Sequence, residues 1–311
     1  MKTQNLGYPR IGSHRELKKA CEQYWAGKIT LQDLFHTGRK IRLYNLQTQK
    51  EAGIDLIPCN DFSFYDQILD MSLTLGAIPE RFKELLDQKN FLDMDLYFAM
   101  ARGYQKNGID IAALEMTKWF DTNYHYLVPE FTKDQKFQLF NEKVINEFYE
   151  AKEFLGITPK PVLIGPVTYL LLGKEKEGGF HRLDLLDRLL ESYEQILSKL
   201  QEYGATWIQF DEPFLVMDLT TDEKIAFKKA YDYLKGKFKY LNFQIATYFE
   251  SISNNLALVN SLPVDMLHID VVRGGGALDD ILLSNFVDSK KILSLGVVDG
   301  RNIWKNNYTY S

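Results

Sequence analysis

Short apolar, β-branched runs alternate along the whole chain with stretches whose apolar positions recur every three or four residues. Ser13-His14-Arg15-Glu16 has the form of a capping box and predicts a helix with Leu17, Ala20, Cys21 and Tyr24 on one side. Thr30-Leu31-Gln32-Asp33 predicts a second helix running towards Gly53, a residue suited to a C-terminal cap. Ile54 to Cys59 follows at once as a strand. The same move predicts a helix over 135–155 that stops at Gly156 and feeds a strand over 161–165. It predicts another over 183–203 that stops at Gly204 and feeds a strand over 206–211. Later strands fall at 243–248, 266–272 and 292–298, separated by helices near 222–235, 253–261 and 277–286.

Near-continuous apolar strands between helices imply a buried parallel sheet. With the segments at 5–8 and 115–128 included, seven or eight strands are available. No glycine-rich fingerprint follows the first strand, and polar clusters end many strands rather than one. The pattern therefore predicts an α/β fold of the (β/α)8, TIM-barrel type. The last strand ends in Val298-Asp299-Gly300-Arg301, and Ile303 to Ser311 offers no helix to cover it, so the expectation is a barrel cut short before full closure.

Composition narrows the classes. The chain has 311 residues, 45% apolar and 25% charged, an ordinary globular balance rather than a disordered one. Lys and Arg total 37 against 42 Asp and Glu, a net charge of −5, which speaks against a nucleic-acid partner. Only Cys21 and Cys59 are present, too few for a disulfide framework and suited to a reducing compartment. The longest apolar stretch, Pro161 to Gly173, is too short to span a bilayer, and the start has no apolar h-region. A cytoplasmic protein without membrane contact is expected.

In such a barrel the strand ends face the site. They hold Asn60-Asp61, the 118–126 segment, Thr168, Asp211-Glu212, Tyr248 to Glu250, His268, Asp270 and Asp299. Asp211-Glu212-Pro213 is the sharpest carboxylate pair, and alternation along a strand sends at most one of the two into the mouth. One reading is a general acid, base or hydrogen-bond acceptor; the other is a carboxylate capping the next turn. No metal-ligand spacing links His14, His36, His125, His181 and His268 with the cysteines. Cys59 reads as a core thiol, His268 as a hydrogen-bonded core histidine, and the glycines at 274–276 as a plain turn.

Two basic features remain. Arg15, Lys18 and Lys19 lie in the first turns of the first helix, with Arg10 just before. Lys118 sits between apolar and aromatic neighbours in Met116-Thr117-Lys118-Trp119-Phe120, where either its stem snorkels or its ammonium meets an anion.

Leu6-Gly7-Tyr8-Pro9-Arg10-Ile11-Gly12 followed by Arg15-Glu16-Leu17-Lys18-Lys19 resembles the opening of cobalamin-independent methionine synthase, the 5-methyltetrahydropteroyltriglutamate–homocysteine methyltransferase family. Further matching stretches are Gly53 to Pro58, Glu115 to Tyr126, Gly165 to Thr168, Gln209 to Pro213, Leu267 to Asp270 and Gly300 to Trp304. The resemblance covers essentially the whole chain. It implies a first barrel, residues 1–311, of an enzyme with two face-to-face (β/α)8 barrels, whose C-terminal barrel, absent from this sequence, carries zinc and homocysteine. The implied reaction moves a methyl group from 5-methyltetrahydropteroyltri-L-glutamate to homocysteine, giving methionine, without cobalamin. It further implies that Arg15, Glu16, Leu17, Lys18 and Lys118 bind the polyglutamate tail of the folate, that no catalytic residue and no zinc ligand lie in this segment, and that the segment alone is inactive. Carboxylates along such a tail suit cations and helix-end amides. Two competing readings are a stand-alone barrel for an anionic ligand, and a glycoside hydrolase using strand-end carboxylates such as Asp61, Glu212 or Asp270.

Overall fold

The computed structural model describes residues 2–86, 93–106, 108–282, 284, 286 and 290–306. Its helices, in chain order, begin with α1 (Glu16–Trp25), α2 (Leu31–Glu51), α3 (Gln67–Thr74), α4 (Glu80–Leu86) and α5 (Asp93–Arg102). They continue with α6 (Lys143–Leu155), α7 (Pro166–Leu172), α8 (Leu186–Glu202), α9 (Thr221–Lys237), α10 (Leu256–Ser261) and α11 (Ala277–Leu282). The strands are β1 (Pro58–Cys59), β2 (Tyr104–Lys106), β3 (Ile109–Ile111), β4 (Met116–Lys118), β5 (His125–Leu127) and β6 (Glu130–Phe131). After them come β7 (Lys160–Ile164), β8 (Lys174–Glu175), β9 (Trp207–Asp211), β10 (Asn242–Ala246), β11 (Met266–Asp270) and β12 (Ile292–Gly296).

Six strands form one wholly parallel sheet in the order β1-β7-β9-β10-β11-β12. A parallel bridge from Gln4 to Leu56 sets the start of the chain beside β1. This is the stave-and-helix architecture of a TIM-type barrel. Because helices cover its outer surface, β7, β9 and β10 are buried almost throughout, which is why they read as continuous apolar runs. Outward-facing Phe210 packs edge-on against Tyr231 of α9 and Phe243 of β10, with ring centroids 5.7 and 5.3 Å apart. A second apolar cluster, built on α1 to α5 and Leu127, stands beside the barrel and supports the region discussed below.

The helix signals hold in part. Thr30 and Asp33 make the reciprocal capping box of α2, and Gly53, at φ 75°, and Gly156, at φ 67°, follow their helices in the left-handed region. The first box does not form. Arg15 occupies the N-cap of α1 at φ 61° without a side-chain cap, and Glu16 Oε2 instead accepts from the His14 amide at 2.9 Å. The helix predicted from 135 begins only at Lys143, because the amides of Gln138 and Phe140 donate to Leu75 and Thr74 at the end of α3, 3.0 and 2.9 Å away. Residues 115–128 are not a stave. β1 pairs directly with β7, leaving no place between them, and β4 and β5 form an antiparallel hairpin outside the barrel sheet.

The carboxylate pair divides as alternation requires. Asp211 faces the barrel interior, while Glu212 is fully buried and accepts from the Thr168 amide in the first turn of α7, at 3.0 Å, and from Tyr231 Oη, at 2.8 Å. It caps a neighbouring helix rather than its own following turn. A Cβ on Gly165 would lie 2.0 Å from this carboxyl group, so the glycine makes room for the cap. Burial pushes the Glu212 carboxyl up to about 7 from 4.5. Cys59 is buried and its thiol pushed up by burial, and His268 is a core histidine, its Nδ1 2.8 Å from Ser294 Oγ and its pKa lowered to about 4 by burial. Asp270 accepts from the amides of Val272 and Arg273, both at 2.9 Å, ahead of the turn at 274–276.

Two outcomes test the Glu212 cap. The folded chain holds a proton there that the unfolded chain releases, so the associated stability is complete below about pH 4.5 and is lost as pH rises through about 7, by about 3 kcal/mol. Glu212→Gln keeps an acceptor for Thr168 and should make the fall of the urea midpoint between pH 5 and 8 shallower, leaving the part that Asp61 and Asp211 contribute through their own raised carboxyl groups. Gly165→Ala should cost about 1–3 kcal/mol in the same assay, since its methyl displaces the carboxyl group.

Candidate functional site

Two concave regions lie at the end of the barrel where the parallel strands finish. The first is the barrel mouth, a cavity of about 340 Å³ whose polar lining includes Tyr8, Asn60, Asp61, Asp70, Thr74 and Asp211. Asp61 Oδ2 accepts from the Tyr8 amide at 2.7 Å, and Asp211 accepts from Gln209 Nε2 at 2.7 Å and Tyr248 Oη at 3.1 Å. Burial lifts both carboxyl groups to about 6. Lys143 lies 2.9 Å from Asn60 Oδ1 and 3.3 Å from both Asp70 and Glu147, so its ammonium is spent inside the protein. The mouth is thus a carboxylate-rich cavity. Among the described residues no group of three or more His, Cys, Asp or Glu could hold a metal ion, so the described donor set does not fit a zinc site.

The second region is a groove of about 290 Å³ beside the mouth, where the β4-β5 hairpin faces α1. Leu17 and Lys18 of α1 line it together with Arg10, Tyr65, Tyr124 and His125. Leu17 is buried and anchors the helix, while Lys18 is exposed and lies 3.7 Å from Glu22, one turn on, a surface pair of little energetic weight. Arg15 is exposed and Glu16 half-buried at the start of the helix. Lys118 lies on β4 directly opposite groove-lining His125 on β5. The two basic features of the sequence, about a hundred positions apart, therefore converge on one region.

Arg10 makes that convergence possible. Its guanidinium donates to the carbonyls of Ser63, at 3.0 Å, and Tyr65, and to Tyr124 Oη at 3.2 Å. It also lies over the Tyr124 ring, 5.7 Å from the centroid. One side chain thereby ties the segment entering α1 to the loop after β1 and to the hairpin. The hairpin is closed by Phe120 at φ 52°, and Trp119 is turned into the core against Tyr126, with ring centroids 5.7 Å apart. The signal for Arg10 lay in its place before a basic helix, but its role as a clamp depends on Tyr65 and Tyr124, which only folding brings to it.

Parallel staves covered by helices, with a groove beside the mouth, define an α/β-barrel domain. Comparison with known proteins makes the class specific. Residues 2–311 match the model of the cobalamin-independent synthase N-terminal domain, and the chain belongs to that family. Over 307 residues it is 60% identical to the 5-methyltetrahydropteroyltriglutamate–homocysteine methyltransferase of Cytophaga hutchinsonii, covering 99% of this chain and 40% of that protein. The enzyme of the same name from Saccharomyces cerevisiae is 48% identical over 314 residues, covering 98% of this chain and 40% of its own. The chain thus spans about two fifths of the length of these relatives. A solved structure from Listeria monocytogenes, assigned to vitamin-B12 independent methionine synthase, aligns over 100% of this chain and 85% of its own with a TM-score of 0.62 at 13% identity. A B12-independent methionine synthase from Shewanella aligns over 87% of this chain and 73% of its own with a TM-score of 0.55 at 14% identity. At such identities these two likenesses speak for the fold alone.

The clamp gives a direct test. Arg10→Ala removes three charge-assisted hydrogen bonds and should lower stability by about 3 kcal/mol, with a change in Trp119 emission as the hairpin loosens. Tyr124→Phe, which removes one of the three, should cost about 1 kcal/mol or less by urea titration.

Proposed function

We propose that residues 1–311 form the N-terminal barrel domain of a two-barrel methyltransferase that moves a methyl group from 5-methyltetrahydropteroyltri-L-glutamate to homocysteine, giving methionine. In this reading the domain binds the polyglutamate tail through Arg15, Glu16, Leu17, Lys18 and Lys118, and braces the barrel where the chemistry takes place. The observation that carries it is the convergence of α1 and the Lys118-bearing hairpin on one groove. The name and length of the curated relatives support the reaction and the second barrel. Zinc and homocysteine belong to that second barrel, and this domain supplies neither a metal ligand nor a catalytic residue. The family is cobalamin-independent. We place the enzyme in the cytoplasm, in keeping with its two unpaired cysteines and with the lack, among the described residues, of any helix long and apolar enough to cross a membrane.

The physics of the tail fits the groove. A chain of glutamates presents several carboxylates at intervals, each of which favours a point or forked cation. Lys18 and Lys118 supply mobile ammonium groups from two different elements, so an extended ligand can be gripped along its length rather than at one end. The amide of Leu17 already donates to the Ile11 carbonyl at 3.2 Å, so this residue shapes the wall and the lysines supply the charge. Holding the tail would fix the position of the distant methyl-bearing ring, which is the kind of positioning that lowers a transfer barrier.

Calorimetric titration of the chain with 5-methyltetrahydropteroyltriglutamate should show binding that weakens as salt is raised. Lys18→Ala and Lys118→Ala should each weaken it about two- to fivefold, the value of one exposed charge contact. Binding indifferent to salt and to both substitutions would remove the groove from the mechanism.

A further inference from the structure

His125 has a position in the groove that the tail reading does not use. In the β4-β5 ladder the hydrogen-bonded pairs are Trp119 with Tyr124, whose amide-to-carbonyl distance is 2.8 Å, and Glu115 with Val128, also 2.8 Å. Lys118 and His125, between them, are directly opposite in a non-hydrogen-bonded pair. Side chains in such a pair leave the sheet on the same face and are closer together than in the hydrogen-bonded kind. His125 lines the groove with Lys18, and its ladder partner Lys118 leaves the hairpin on the same face.

The ring is already oriented. His125 Nδ1 is 3.1 Å from the Asn123 carbonyl, and a carbonyl can only accept, so Nδ1 carries the hydrogen and Nε2 is the nitrogen that gains or loses a proton. The titratable and charged groups around it are Lys118 and Tyr124 on the hairpin, Lys18, Cys21 and Glu22 on α1, Arg10 before α1, and Tyr65 after β1. Glu22 is engaged by Lys18, and Arg10 by Tyr124 and two carbonyls, while the residue directly opposite His125 in the ladder is Lys118. Like charges opposed across a ladder repel. An anion between them reverses the sign of that interaction.

We propose that His125 is a third anion-binding side chain of the groove, one that becomes charged by taking a proton from solvent onto Nε2 when a carboxylate of the tail binds. The carboxylate stays ionised and no other bond changes. Linkage then works in both directions: the ligand favours the imidazolium, and acid favours the ligand by the same free energy. The inference rests on the tail-holding function of the groove and adds to it a residue and a pH dependence.

The experiment is calorimetric titration of the chain with 5-methyltetrahydropteroyltriglutamate at pH 6.0, 7.0 and 8.5, each in two buffers of different ionisation heat. Affinity should be about two- to fivefold higher at pH 6.0, and near pH 7 the buffer pair should reveal uptake of up to one proton. In His125→Gln the proton uptake and most of the pH dependence should vanish. In His125→Lys the high affinity should persist at pH 8.5. The residue is exposed, and the circular dichroism of both variants should match that of the parent. Binding that Lys18→Ala and Lys118→Ala weaken, but that shows no proton uptake dependent on His125, overturns this inference and leaves the tail-holding function standing. Binding indifferent to all three side chains overturns both.

Discussion

A single buried ammonium orders the start of the chain. Lys160, at the first position of β7, is almost wholly inside the barrel and donates to Gln4 Oε1, to the Asn5 carbonyl and to Gln244 Oε1 on β10. Gln4 in turn donates to Ser294 on β12. An interior charge of this kind is tolerated only where acceptors surround it, and three oxygens do so here. Burial still pulls the Lys160 pKa down to about 7, against the attraction of Asp211. Residues 4 and 5 are therefore stitched to three staves at once. The stitching continues upward: the Leu6 carbonyl accepts from Gln209, the Tyr8 amide donates to Asp61, and Arg10 clamps the hairpin. The groove stands where it does because the segment that leads into α1 is held to the barrel at nearly every residue.

The charges at this end of the molecule are sorted by depth. Cations near the barrel mouth are consumed internally, Lys143 by Asp70 and Glu147, and Arg42 by Glu150 at 2.7 Å and Glu147 at 3.6 Å. Asp61 and Asp211 are left facing the cavity with their carboxyl groups raised by burial. Lysines of α1 and of the hairpin stand outside this acidic mouth, exposed and well hydrated. In the proposed function an elongated anion lies along the groove and avoids the mouth, where it would meet carboxylates in a low-dielectric setting. A nearly neutral, slightly acidic chain can therefore carry a local cationic site that its net charge of −5 conceals.

Much of the barrel was legible in order. Buried parallel strands need apolar residues on both faces, so β7, β9, β10 and β11 announce themselves as short apolar runs, and the helix stops at Gly53 and Gly156 follow from the left-handed backbone that glycine adopts at no steric cost. Legibility failed where distant partners decided the matter. The stretch at 135–142 has helical spacing, yet its amides are taken by the end of α3; the stretch at 115–128 has strand character, yet the barrel sheet has no room for it. Local periodicity records what a segment can bury, not which segment it will pair with.

The sequence by itself determined the class of fold, the family motifs and the identity of the cations, because these depend on residue types and their spacing. Tertiary structure alone decided that Asp211 and Glu212 would serve different ends, that Lys160 would be buried among amide oxygens, and that Arg10 would join three segments. It alone placed Lys118 opposite His125 and set His125 in a groove with Lys18. Contacts of this kind join residues up to 290 positions apart, and a hydrogen bond or ladder register between such residues is fixed only once every intervening element has packed.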